Sequence, residues 1–115
     1  MSDMRAQWSF SWRDREWLTS RTPPADENLR LAVETLIIPF GQHWQAVDNF
    51  LKVWRRSERE HGIGYSVSTP GAVVQRISVD TVEICDLYDQ FQDVRMPVDE
   101  FVALLEDLSA TMRLR

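Results

Sequence analysis

Between Val73 and Met112 the apolar residues change period, and that change limits what the rest of the chain can build. Val73, Gln75, Ile77 and Val79 alternate with Val74, Arg76 and Ser78, the two-residue period of a strand. At Asp80-Thr81 the apolar parity switches, and Val82, Ile84 and then Tyr88 carry it on. A tight turn would make this a hairpin and a bulge would make it one bent strand; the hairpin is the preferred reading. Gln90 to Met96, with Phe91 and Val94, predicts a third short strand. From Pro97 the period becomes helical. Phe101, Leu104, Leu105, Leu108 and Met112 form one apolar face, Asp99 and Glu100 put negative charge on the first turn, and Arg113 and Arg115 complement the far end of the dipole.

Trp8, Phe10 and Trp12 alternate with Ser9, Ser11 and Arg13, which predicts a strand over Gln7 to Arg13 with an aromatic core face. Thr22-Pro23-Pro24 interrupts any regular element, so Trp17 to Asn28 is expected to be a loop. Leu29 to Ile38 is read as a bulged strand because Val33, Thr35, Ile37 and Ile38 are β-branched, with a helix starting near Asp26 as the competitor. Trp44, Val47, Phe50, Leu51 and Trp54 predict an amphipathic helix over Gln42 to Glu60, closed by His61-Gly62-Ile63-Gly64. Tyr65 to Val67 is expected to be a short extended piece before the turn at Thr69-Pro70-Gly71. The expected architecture is a single α+β domain, an antiparallel sheet of four or five strands packed against two amphipathic helices.

Composition narrows the classes of function. At 115 residues, 43% hydrophobic and 27% charged, the chain has the make-up of one self-folding domain. Cys85 is the only cysteine, which excludes an intramolecular disulfide and a thiolate zinc site, and suits a reducing cytoplasm. Met1 to Phe10 lacks the apolar core of a secretory signal, and clusters such as Leu36-Ile37-Ile38-Pro39-Phe40 fall far below the roughly 18 residues of a membrane span. The net charge is −5 and is unevenly placed: residues 61–115 hold nine acidic against four basic side chains, while residues 1–60 hold nine of each. Such a chain repels nucleic acid and anionic membranes over its second half and attracts basic partners. Lys52, Arg55, Arg56 and Arg59 form a basic stripe, read as dipole-complementing cations partly neutralised by Glu58 and Glu60.

No complete catalytic, metal or nucleotide motif is present. His43 and His61 fit no metal-ligand spacing, Gly62-Ile63-Gly64 lacks the elements of a phosphate-binding loop, and Cys85 has no histidine close in sequence. The acidic set Asp80, Glu83, Asp86, Asp89 and Asp93 is the constellation that stands out. Two of these carboxylates converging on one hard cation is the metal reading, but no calcium-loop spacing accompanies them. The more economical expectation is a partner-binding surface made of Asp80, Glu83, Asp86, Tyr88, Asp89, Phe91 and Asp93, with the aromatics as anchors and the acids as rim, suited to a basic protein partner.

The run Val82-Glu83-Ile84, Asp86-Leu87-Tyr88-Asp89, Met96 to Phe101 and Leu104-Leu105-Glu106 is similar to the endings of small bacterial immunity proteins, which protect cells that make polymorphic or contact-dependent toxins. The resemblance covers roughly a third of the chain. It implies a non-enzymatic cytoplasmic protein, without cofactor or metal, that occludes the active site of a toxin domain. Members of such systems share no catalytic residues, so no position carries over. The alternatives are an adaptor unrelated to toxins and a small metal-dependent or acid-base enzyme.

Overall fold

The computed structural model describes residues 6–114. The expectations that concern Met1–Arg5 and Arg115 lie outside the described residues. In chain order the elements are β1 (Gln7–Arg13), β2 (Glu16–Thr22), α1 (Glu27–Ile37) with a 3-10 turn at Ile38–Phe40, α2 (Trp44–His61), β3 (Ser66–Ser68), β4 (Ala72–Arg76), β5 (Thr81–Asp86), β6 (Val94–Pro97) and α3 (Val98–Arg113). Among the described residues no helix is long and apolar enough to cross a membrane.

β1 and β2 form an antiparallel hairpin in which Arg13 faces Glu16 across a two-residue turn. Asp14 and Arg15 both take positive φ, 53° and 67°, the conformation that matches the twist of paired strands. The expected loop over Trp17 to Asn28 is therefore corrected. Trp17 and Thr19 alternate inward with the same period as Trp8, and only the segment around Pro23-Pro24 is irregular. The turn was hidden because it contains no glycine, and Arg15 is not a residue that ordinarily signals it. Trp12 and Trp17, opposite each other in the register, meet edge to face at 5.1 Å.

The expectation of a strand over Leu29 to Ile38 is also corrected, in favour of its competitor. The Asp26 carboxylate accepts a hydrogen bond from the Leu29 backbone at 2.8 Å and starts α1. Ala32, Val33, Thr35, Leu36 and Ile37 are buried between the hairpin and the larger sheet. That burial outweighs the small helix penalty of the β-branched residues. Glu34 ties the helix to β2 by accepting from the Thr19 backbone at 3.0 Å and its hydroxyl at 2.8 Å.

The strands of the larger sheet run in the order β3-β4-β5-β6, all antiparallel. The hairpin expected at Asp80-Thr81 is present, with its turn over Ile77 to Asp80, and the third short strand begins at Val94. Ala72, Val74, Val82, Ile84 and Met96 face the helices, whereas Gln75, Glu83, Cys85 and Arg95 lie on the other face. The α+β class thus holds, with four strands in one antiparallel sheet, the aromatic hairpin as a separate pair, and three helices where two were expected.

α2 and α3 pack together through Phe50, Trp54 and Phe101, with Trp54 5.0 Å from Phe101 and 4.8 Å from Tyr65. At their rim Asp48 accepts from the Ser109 hydroxyl and from Arg113, both at 2.6 Å, and Arg113 lies 3.7 Å over the Trp44 ring. Two buried charges organise the interior. Arg76 donates to the Ser78 and Val79 carbonyls, to Glu58 and to the Tyr65 hydroxyl, which locks the β4–β5 turn onto the end of α2. Glu100, 3% exposed in the first turn of α3, accepts from Trp8 Nε1 at 2.8 Å and from Arg21 at 3.0 and 3.1 Å.

Glu100→Ala should cost about 3 kcal/mol in urea unfolding, at the low end for a broken buried pair because Arg21 keeps some access to water. A loss below about 1 kcal/mol, the size of a surface pair, would contradict this account.

Candidate functional site

The segment joining β5 to β6 is held by side chains. The Asp86 carboxylate accepts from the Tyr88 backbone at 3.2 Å and from the Gln90 backbone at 2.9 Å, and Asp93 accepts from the Asp86 backbone at 2.9 Å. Asp89 takes the left-handed φ of 57° that aspartate tolerates. Asn28, in the first turn of α1, donates to the Gln92 carbonyl at 2.9 Å and accepts from its N–H at 2.8 Å, a two-bond clamp between helix and loop. Phe91 sits beneath, 8% exposed, while Leu87 and Tyr88 are thrown outward. The Tyr88 ring is 67% exposed.

This construction leaves two adjoining depressions between α1 and the loop. The larger is a cleft of about 640 Å³ whose walls include Glu27, Asn28 and Leu31 from the helix and Asp86, Asp89 and Gln92 from the loop. The smaller is an apolar hollow of about 230 Å³ between Ile38, Pro39, Pro70 and Tyr88. Gln90 lines both, so they form one continuous face. Ile38 is 62% exposed there. No lysine or arginine lines either depression, and among the described residues no ion pair engages Glu27, Asp86 or Asp89. The face therefore combines exposed apolar side chains with uncompensated negative charge.

The hollow has rigid walls. Thr69 donates to the Leu36 carbonyl at 2.9 Å and accepts from the Gly71 N–H at 3.0 Å, pinning the β3–β4 turn to α1. Gly71 packs so closely that a Cβ there would lie 2.1 Å from the Thr35 carbonyl oxygen.

The remaining acids of the expected set lie elsewhere. Asp80 sits in the β4–β5 turn, at the other end of β5, where its carboxylate accepts from the Ser78 and Thr81 hydroxyls at 2.9 and 3.0 Å. Glu83, on the face of the sheet away from the helices, pairs with Arg95 at 3.3 Å. Asp86, Tyr88, Asp89 and Phe91 are brought together at the cleft and hollow, Phe91 as buried floor and not as an exposed anchor. Sequence reasoning missed Glu27 and Leu31, on the outward side of α1, and Ile38, in the 3-10 turn that follows it. Their spacing of four and then seven residues, close to one and two helical turns, and Asp26 as a cap, were the signals available.

Glu83 and Asp93 meet Cys85 beside the loop, with a potential ligand atom from each within 4.8 Å of the others. Burial, then the Asp93 and Glu83 charges, push the Cys85 thiol up to about 11. It is a protonated thiol at neutral pH, the opposite of an activated nucleophile. The basic stripe is also differently neutralised than expected. Glu58 reaches buried Arg76 and Glu60 lies 3.8 Å from His61, while Arg55 pairs with Glu106 on α3 at 2.7 Å.

Comparison with protein-family models, with curated proteins and with solved structures finds no match to this chain.

Two outcomes follow from the way the face is built. Slight burial acts to raise the pKa of Asp86, but the Gln90, Tyr88, Phe91 and Asp89 N–H groups outweigh it and hold the carboxyl below its ordinary 3.8. The order that Asp86 confers is thus in force above that ordinary value and is lost as pH falls through the lowered one. Amide exchange at Tyr88 and Gln90 should lose protection across that acid range, and Asp86→Ala should lose it at neutral pH; equal protection in wild type and variant would refute the capping role. Gly71→Ala, which drives a methyl into backbone, should lower stability by about 1–3 kcal/mol in urea unfolding, and a neutral result would show that the turn can withdraw from α1.

Proposed function

We propose that this protein is a non-catalytic binding protein that docks a basic protein partner on the face made by α1 and the β5–β6 loop. The observation that carries the reading is the exposed Tyr88–Ile38 apolar surface, continuous with a cleft whose carboxylates form no ion pair among the described residues. An aromatic anchor gives affinity to such an interface and unpaired charge gives association rate and choice of partner. The similarity of the Val82 to Glu106 run to immunity proteins supports a toxin domain as the proposed partner, to be held in the cytoplasm by steric and electrostatic occlusion of its active site, without turnover. A protonated Cys85 and the absence of clustered histidines among the described residues suit binding better than thiol chemistry.

Co-expression tests the reading directly. The variable C-terminal domain of a secreted protein encoded beside this one should kill cells when expressed alone and spare them when this chain is present; equal killing in both cases ends the toxin reading and leaves the adaptor. At the interface, Tyr88→Ala should weaken binding by about 2 kcal/mol while leaving the melting temperature in place, because the ring is exposed. Asp89→Lys should slow association at low salt, with the difference shrinking as salt is added. Unchanged kinetics in both variants would move the interface to another face.

A further inference from the structure

The two depressions differ in chemistry and stand at a fixed separation. Leu31, on the wall of the cleft within α1, and Ile38, on the wall of the hollow where the 3-10 turn follows the helix, are seven residues apart, about 10 Å at the helical rise. The clamp between Asn28 and Gln92 at one end and the Thr69 lock at the other keep helix, loop and turn in place before anything binds.

Within the cleft the three carboxylates are not equivalent. Asp86 is occupied with the Tyr88 and Gln90 N–H groups. Glu27, from the first turn of α1, and Asp89, from the loop, line the same cleft from its two walls and engage in no ion pair among the described residues. Leu31 and Phe91 line the same cleft with apolar side chains. Two carboxylates from different chain segments, in a cleft that also presents apolar surface, suit a planar, weakly hydrated cation with donors on several edges. They suit less well a compact, strongly hydrated ammonium, which acts as a point charge. The first description is a guanidinium, whose plane and aliphatic stem also pack on apolar surface. The hollow is lined mostly by carbon, with Ile38, Pro39, Pro70 and Tyr88 beside Thr35, Gly71 and Gln90.

Resting on the reading of this face as an interface, we infer that the partner segment seated on it carries an arginine and a large apolar residue about 10 Å apart. The guanidinium enters between Glu27 and Asp89, and the apolar side chain enters the hollow between Ile38 and Tyr88. On a partner helix laid along α1 this is an arginine and an apolar residue seven positions apart.

The test uses the full chain, labelled for two-dimensional amide NMR, with N-acetyl-arginine amide, N-acetyl-lysine amide and N-acetyl-leucine amide as separate probes. The arginine probe should give saturating shifts confined to residues 27–31 and 89–92. The leucine probe should shift Ile38, Gly71 and Tyr88, and the lysine probe should bind several-fold more weakly than arginine. Glu27→Gln combined with Asp89→Asn, which keeps a residue tolerant of the left-handed backbone, should abolish the arginine response and spare the leucine one. A helical peptide carrying arginine and leucine seven positions apart should bind about tenfold tighter than its single-alanine variants, because the second contact is made intramolecularly. Equal responses to arginine and lysine, shifts spread over carboxylates elsewhere, or no gain from linking the two side chains would overturn the inference. No toxin is needed for this readout. Localised shifts without protection of cells would remove the toxin reading alone, and protection without localised shifts would remove this inference alone.

Discussion

The buried carboxylate of Glu100 is the interaction on which the architecture turns. A two-stranded hairpin is marginal in water by itself, and β1–β2 shares no strand pairing with the larger sheet. Its hold on the rest of the molecule is the packing of Trp8, Phe10, Trp12 and Trp17 together with polar ties at defined points. Glu100 is the deepest of these ties. It collects Trp8 from β1 and Arg21 from β2 at one point, and so fixes both strands against α3 in a single register. A one-residue slip would turn the tryptophans to solvent and leave the carboxylate buried without donors. Apolar packing supplies the greater part of the stabilisation here, and the charge decides which of several packed arrangements is kept.

The same division of labour recurs around α1. The helix is buried along Ala32, Val33, Leu36 and Ile37, which sets its depth, while Glu34, Asn28 and the Leu36 carbonyl fix its neighbours by hydrogen bonds. Those bonds reach β2, the β5–β6 loop and the β3–β4 turn in turn. The candidate binding face is thus assembled from two of these segments, the β5–β6 loop and the β3–β4 turn, which lie apart in sequence but are tied to one helix.

Much of the fold could be read from local period, and the failures have local causes. The stretch from Val73 to Met112 gave three strands and a helix because its apolar spacing, Pro97 and its acidic first turn all agree. The second strand of the hairpin was lost because the turn before it, Asp14-Arg15, carries no glycine, and because Pro23 and Pro24 drew attention to the wrong end of the segment. α1 was misread because Val33, Thr35 and Ile37 favour strands by propensity; only tertiary burial, which no window of sequence contains, reverses that preference. The candidate face was legible by half. Tyr88 and the acids of the loop stood out, but their separation into an outward group and a capping group depends on hydrogen bonds to the backbone, and the opposite wall lay on the helix that had been taken for a strand.

The hydrogen bonding of the β5–β6 loop separates holding from display. Asp86, Asp93 and Asn28 set the path of the backbone by binding its N–H and C=O groups, and Phe91 fills the space below. Leu87 and Tyr88 project outward, and the hydrogen bonds that hold the loop run through the side chains of Asp86, Asp93 and Asn28 instead. The loop is therefore a small frame with interchangeable outward positions. In the proposed binding role, substitution there would change what is recognised without disturbing what is folded, and a lineage under pressure to follow a changing partner could revise its specificity one exposed side chain at a time.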